Sequence, residues 1–251
     1  MKKLLLMITS VMILIFFISA VSASVLAPTD DKVIEQDRHR EHPPFAEDNK
    51  YLERADFIHY AKSSRKERAQ KAESCYKLMG VKWSTLPVSY SINPINPQNL
   101  SESFISSTIT ASAETWDAAT SQELFNNFPA IDNTAQYGIQ NFQNAIVFGD
   151  YPDSGVIGIT SVWFTRVGKR IVEFDMLLNT DFQWGDATID PLKMDLQNIA
   201  THELGHSIGL SDIYSTSCST VTMFGYSTES EISKRSLDQP DIFGLQKMYE
   251  I

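Results

Sequence analysis

Cysteine is almost missing from this chain: there are two in 251 residues, Cys75 and Cys218. Two thiols are too few for a thiolate-built zinc site. Basic residues are also short, with 21 Lys and Arg against 31 Asp and Glu and a net charge of −10. That balance argues against nucleic acid as a partner and favours solubility. Internal repeats, a phosphate-cradling glycine loop and a serine nucleophile elbow are all absent, so the enzyme classes they mark have no footing here. Past the N-terminal leader no apolar run is long enough to cross a bilayer. Core-forming material is ample, at 43% hydrophobic residues.

Met1-Lys2-Lys3 is followed by an apolar run from Leu4 to Ile18, broken only by Thr9 and Ser10, and then by Ser19-Ala20-Val21-Ser22-Ala23. A basic start, a short apolar centre and small residues at the end match a secretory signal over residues 1–23, cleaved after Ala23. The chain is then secreted, or held at the cell surface if the leader stays uncleaved as a membrane anchor. Loss of Lys2 and Lys3 takes the net charge from −10 to −12. Residues 24–74 form a charged N-terminal extension. Asp30 to Arg40 is nearly all polar, and Glu53 to Glu73 is dense in Lys, Arg and Glu, with few apolar residues apart from Phe57, Ile58 and Tyr60. Such a segment buries little surface and reads as part disordered and part helical. A removable prosegment and a charged arm without inhibitory role both suit it. In an exported chain Cys75 and Cys218 most simply form a disulfide, worth about 4–5 kcal/mol on the loop-entropy account. The alternative is that Cys75 reaches a metal in a latent form.

The most informative stretch is Ile199-Ala200-Thr201-His202-Glu203-Leu204-Gly205-His206-Ser207-Ile208-Gly209-Leu210-Ser211-Asp212. His202 and His206, four apart, leave the same face of a helix and can share one metal ion. Glu203 projects about 60° round the helix from His206, beside the metal, where it suits a general base. Gly209 can take the left-handed conformation that ends a helix and turns the chain back, which lets Asp212 supply a third ligand. Leu196, Ile199, Ala200, Leu204 and Ile208 give the helix a face to bury. Three protein ligands and one open position describe a catalytic zinc centre, and the reaction that suits it is amide hydrolysis.

The pattern H-E-x-x-H-x-x-G-x-x-D resembles the metzincin zinc endopeptidases, whose aspartate-bearing variants include the snapalysin-like enzymes. Ser219-Thr220-Val221-Thr222-Met223-Phe224-Gly225-Tyr226 looks like the methionine turn that metzincins place beneath the metal, with Met223 as its methionine. The tail from Leu237 to Tyr249 is similar to the C-terminal helix of the matrixin branch. The resemblance implies that Tyr226 is a candidate oxyanion donor and that Ser227 to Gln239 lines the pocket that selects the substrate side chain. It also brings two departures. The matrixin latency signature, a cysteine between Pro-Arg and Gly, is missing, and the stretch Asp150 to Asp175 has no histidine for a structural zinc. Asp150, Asp153, Glu173, Asp175 and Asp181 could offer oxygen ligands to calcium instead, though they read more simply as solvated surface carboxylates.

Periodicity supplies the rest. Val88 to Ile92 alternates as a half-buried strand before Asn93-Pro94. A helix capped by Ser101 carries Phe104, Ile105, Ile109 and Trp116 on one face, with Trp116 as core. Ala145 to Phe148 reads as a buried strand. Ile157 to Phe164 and Ile171 to Leu178 read as a hairpin about the turn Arg166 to Lys169. By resemblance the first of these two is the sheet edge above the cleft, where an extended peptide could pair. The expected fold is α+β, a zincin/metzincin-like catalytic domain over residues 75–251, with a twisted mixed sheet, a long helix, a zinc-binding helix and a C-terminal helix. The expected function is a monomeric secreted zinc metalloendopeptidase acting on protein or peptide substrates. The rival is a non-catalytic or degenerate exported module that holds zinc and binds peptides.

Overall fold

The computed structural model describes residues 50–64 and 74–250, so the signal reading over residues 1–23 lies outside the described residues. A sheet of seven strands runs in the order β3-β2-β4-β6-β5-β1-β9. Its members are β1 (Leu52–Ala61), β2 (Ser91–Asn93), β3 (Ala130–Ile131), β4 (Ala145–Gly149), β5 (Val156–Thr165), β6 (Ile171–Asn179) and β9 (Tyr226–Ser227); β7 (Trp184–Gly185) pairs with β8 (Met194–Asp195). Strands β3, β2, β4 and β6 are parallel neighbours, and β5 turns back antiparallel to β6. The hairpin turn expected at Arg166 to Lys169 forms, with positive φ at Gly168 and Lys169. The fold class expected from the sequence is the one found.

Helix α1 (Glu102–Asp117) starts where Ser101 Oγ accepts the Phe104 N–H at 3.2 Å. Ile105, Ile109 and Trp116 are fully buried in the main hydrophobic core. Trp116 donates its Nε1–H to Thr201 O at 2.8 Å, which fastens α1 to helix α2 (Leu196–Ser207). Asp195 caps α2 by accepting the Asn198 N–H at 2.8 Å, and Arg235 binds the same carboxylate. At the other end Trp83 Nε1 donates to Ser207 O at 2.8 Å and Tyr249, at the end of α3 (Gln239–Tyr249), donates to Ile208 O at 2.9 Å. Every backbone carbonyl closed this way is one less exposed by the end of a buried helix.

Two expectations need correction. Residues 52–61, read as part of a disordered and helical extension, form strand β1, antiparallel to β5 from Leu52↔Thr165 to Tyr60↔Val156. Strand β5 is therefore not the edge in this chain. Its partner was hidden because the charged residues of β1 alternate with those that face inward, and its pairing energy comes from a strand far away in sequence. Second, Glu173 and Asp175 are not solvated: they are 0% and 1% exposed. Glu173 accepts N–H bonds from Asn141 and Phe142 and one from the Gln140 amide, and Asp175 accepts the Gly138 N–H at 2.8 Å. Both carboxylates thus hold the loop before β4. Asp150, Asp153 and Asp181 are exposed, and none of the five belongs to a converging group of three ligands among the described residues.

Burial pushes the Asp175 carboxyl up to about 8 from 3.8, against the pull of the Gly138 N–H. A folded value above the unfolded one means stability is fully present below about pH 4 and is lost as pH rises through about 8. Asp175→Asn should flatten that decline, seen as a smaller fall in Tm between pH 5 and pH 9 than in the parent chain; an unchanged slope would remove Asp175 as its source.

Candidate functional site

Helix α2 is built to present two imidazoles inward. All residues from Asn198 to Ser207 are buried, and His202, Glu203 and His206 are 0% exposed. The helix ends in a Schellman arrangement: Gly209, at φ 104°, donates to His206 O at 2.9 Å, and Leu210 donates to Gly205 O at 3.0 Å. A side chain at residue 209 would also overlap the Val81 carbonyl oxygen, so glycine is needed for space as well as for φ. The chain then folds back, and Ile213 exchanges backbone bonds with Met223 O at 2.8 Å and the Gly225 N–H at 3.0 Å. That pairing carries Asp212 to the histidines. Cys75 and Cys218 are joined in a disulfide beside the cluster of Ile213, Val221 and Phe224, so Cys75 is not a metal ligand.

Hydrogen bonding fixes which ring nitrogens are free. His202 Nδ1 lies 2.7 Å from Thr222 O, and His206 Nδ1 lies 3.0 Å from Leu210 O. A carbonyl only accepts, so each Nδ1 carries a proton, and in the neutral ring that can ligate a metal each Nε2 keeps its lone pair. The two Nε2 atoms are 3.1 Å apart, and Asp212 Oδ1 is 3.3 Å from the first and 3.5 Å from the second. Asp212 Oδ1 finds no hydrogen-bond donor. Three acceptors thus converge in the interior with nothing between them to donate, an arrangement that costs free energy unless a cation joins them. The edges of about 3.1–3.5 Å match those of a tetrahedron with bonds of roughly 2.0–2.1 Å, the length zinc takes to nitrogen and oxygen. The residues fit the ion.

Electrostatics follow from the same geometry. Burial drives the Asp212 carboxyl up, but the facing His206 and His202 outweigh it and hold the group well below the usual carboxylate range. Burial lowers the His202 imidazole to about 4 despite the facing Asp212 carboxylate, which keeps it neutral and able to ligate. Glu203 is pushed up to about 7 by burial, against the pull of His206 and of Thr160. Thr160 Oγ1 donates to Glu203 Oε2 at 2.5 Å, while Oε1 has no hydrogen-bond partner. Gly158 makes room for that oxygen, since a side chain there would put its Cβ 3.1 Å from Oε1.

Met223 lies under the helix and is 1% exposed. A Cβ on Gly205 would overlap its sulfur and come within 2.7 Å of Trp116 Cζ2. The turn itself is anchored by Asp241, which accepts the Thr222 N–H at 2.8 Å and the Met223 N–H at 3.2 Å. Tyr226 packs its ring edge-on against Tyr214 and Phe224. Three residues near the site went unread in the sequence. Tyr214 donates its hydroxyl to Asp212 Oδ2 at 3.0 Å; its place two residues after the aspartate was the only available signal. Thr160 and His59 carried none, because their roles depend on sheet pairing.

The matrixin family model matches residues 82–250, a span that contains the histidines, Glu203, Asp212 and the methionine turn. The chain belongs to the matrixin family. A search of curated proteins finds no match. Membership supports zinc-dependent peptide hydrolysis as the general activity and peptides or proteins as the class of substrate. The matrixin span begins after β1, which the family match therefore does not account for.

Tyr214 orients one oxygen of Asp212 and leaves the other to face the histidines, so Tyr214→Phe should lower zinc affinity by roughly 10- to 100-fold. Competition against a chromogenic chelator measures it; an unchanged affinity would show that the hydroxyl does not position the carboxylate.

Proposed function

We propose that this chain is an exported zinc endopeptidase in which His202, His206 and Asp212 hold the metal and Glu203 is the general base. The observation that carries the reading is the convergence of three buried acceptor atoms 3.1–3.5 Å apart, beside a carboxylate oxygen that has no partner. Zinc, when bound, supplies a Lewis acid for the scissile carbonyl and acidifies the attacking water. Glu203 Oε1 takes the proton from that water and passes it to the departing amine, with Thr160 holding Oε2 so that the free oxygen points the right way. A scaffold that only held zinc would gain nothing from a carboxylate placed there. Tyr226 is the candidate side-chain donor to the oxyanion; its ring lies against Tyr214, one side chain removed from Asp212.

Export rests on the N-terminal residues, Lys2 and Lys3 ahead of the apolar run and Ala23 at its end. The Cys75–Cys218 disulfide supports it, because such bonds persist in oxidising compartments.

Purified chain should contain about one zinc ion per molecule and cut members of a mixed peptide library, with cleavage abolished by a chelator. Glu203→Gln should lose roughly 10²- to 10⁴-fold in kcat while elemental analysis still finds zinc. Cleavage that survives either treatment would rule the mechanism out.

A further inference from the structure

Strand β1 lies between two strands that belong to the matrixin span. It is antiparallel to β5 along its length, and at its C-terminal end it is parallel to β9, Tyr60↔Tyr226 and Ala61↔Ser227. On the face of β1 turned toward α2, two aromatic rings cover the site. The Phe57 ring stacks on His206 with centroids 4.2 Å apart and planes 10° from parallel. The His59 ring lies 3.9 Å from that of His202, and its Nδ1 is 3.6 Å from Glu203 Oε1. Neither of those two atoms has a hydrogen-bond partner. His59 Nε2 is tied to Ser227 Oγ at 3.0 Å, and Ser227 in turn accepts from Lys234 Nζ at 2.7 Å. His59 is fully buried, as are both histidines of α2 and Glu203.

We propose that the groove between β5 and β9 is a peptide-binding site already filled by the chain's own strand β1, and that His59 closes it by covering Glu203. Extended pairing to a sheet edge is a general way for a protein to hold a peptide: main-chain bonds give affinity and alternate side chains fill pockets. Strand β1 meets that description, with Phe57 and His59 as the alternate side chains, and it is tethered, so it occupies the groove at a high effective concentration. The outer face adds a second anchor. Asp56 accepts from Ser161 Oγ at 2.6 Å, and Arg54 lies over the Trp163 ring at 4.9 Å. His59 stands outside the set of His202, His206 and Asp212 and converges instead with His202 and Glu203; its Nδ1 faces the carboxylate oxygen that would accept the proton of the attacking water. The chain as described is therefore latent through its base, without a cysteine. That consequence rests on the hydrolase reading, whereas the occupancy of the groove does not.

The test measures occupancy apart from cleavage. In the zinc-loaded full chain, amides that pair β1 with β5 should exchange at least about 10-fold faster than those that pair β5 with β6, through an opening that leaves α1 and α2 protected. In Phe57→Ala/His59→Ala, zinc should pass to a chromogenic chelator about 10-fold faster or more, and a free peptide with the sequence of residues 52–61 should slow that release again. Uniform exchange of β1 with the rest of the sheet in the unmodified chain would make it an integral strand and overturn the proposal, even where the double variant fails to fold. A folded double variant with unchanged zinc release would overturn it as well. Should release and exchange behave as expected while neither chain cuts any peptide, the occupancy stands and the hydrolase reading falls. Cleavage that rises in the variant by 10-fold or more supports both.

Discussion

Three acceptor atoms with no donor among them form the constraint on which this structure depends. His202 Nε2, His206 Nε2 and Asp212 Oδ1 are brought within 3.1–3.5 Å of one another in a region closed to solvent, which no apolar core would tolerate without a cation. The surrounding elements keep these atoms from turning away. Thr222 O and Leu210 O fix the two rings through Nδ1, and Tyr214 fixes the carboxylate through Oδ2. Each of these partners sits on the segment that follows α2 or on the methionine turn. The three acceptors and their supports are therefore one folded unit: the Gly209 bend brings the segment back, and Asp241 on α3 pins the turn by its backbone N–H groups.

Much of this was legible because it is local. Helical spacing placed His202, Glu203 and His206 on one buried surface, and a glycine three residues on foretold the turn that delivers Asp212. Trp116 as core and Ser101 as cap follow from the same kind of short-range rule. What could not be read depends on pairing across the sheet. Glu173 and Asp175 look like surface charges in a list of residues, yet loop backbone donors from residues 138–142 reach them in the interior. Thr160 is an ordinary strand residue until β5 is laid over α2 and its hydroxyl meets Glu203.

Strand β1 is the sharpest case. Charged residues along Leu52–Ala61 lowered its apparent capacity for burial, but Arg54 and Asp56 stand on one side of the strand while Ala55, Phe57, His59 and Ala61 stand on the other, with Glu53 at the strand's start. Arg54 and Asp56 are satisfied by Ser161 and Trp163 on β5 rather than by water. Composition averages the two faces and misses the alternation. Periodicity of two would have shown it, had the density of charge not argued first for an extension.

The closed site also explains its own electrostatics. A carboxyl raised to about 7 by burial and a histidine that burial holds well below its usual value face each other across 3.6 Å. Exclusion of water is the largest cause of both departures, with His202 and Lys234 lowering His59 further, and His59 and Phe57 of β1 lie directly over the rings of α2. A groove open to a substrate would be wet at this point between turnovers, so Glu203 would return toward the ordinary range of its type. On the occupancy proposed above, the strand that covers Glu203 also sets the dry environment that raises its carboxyl.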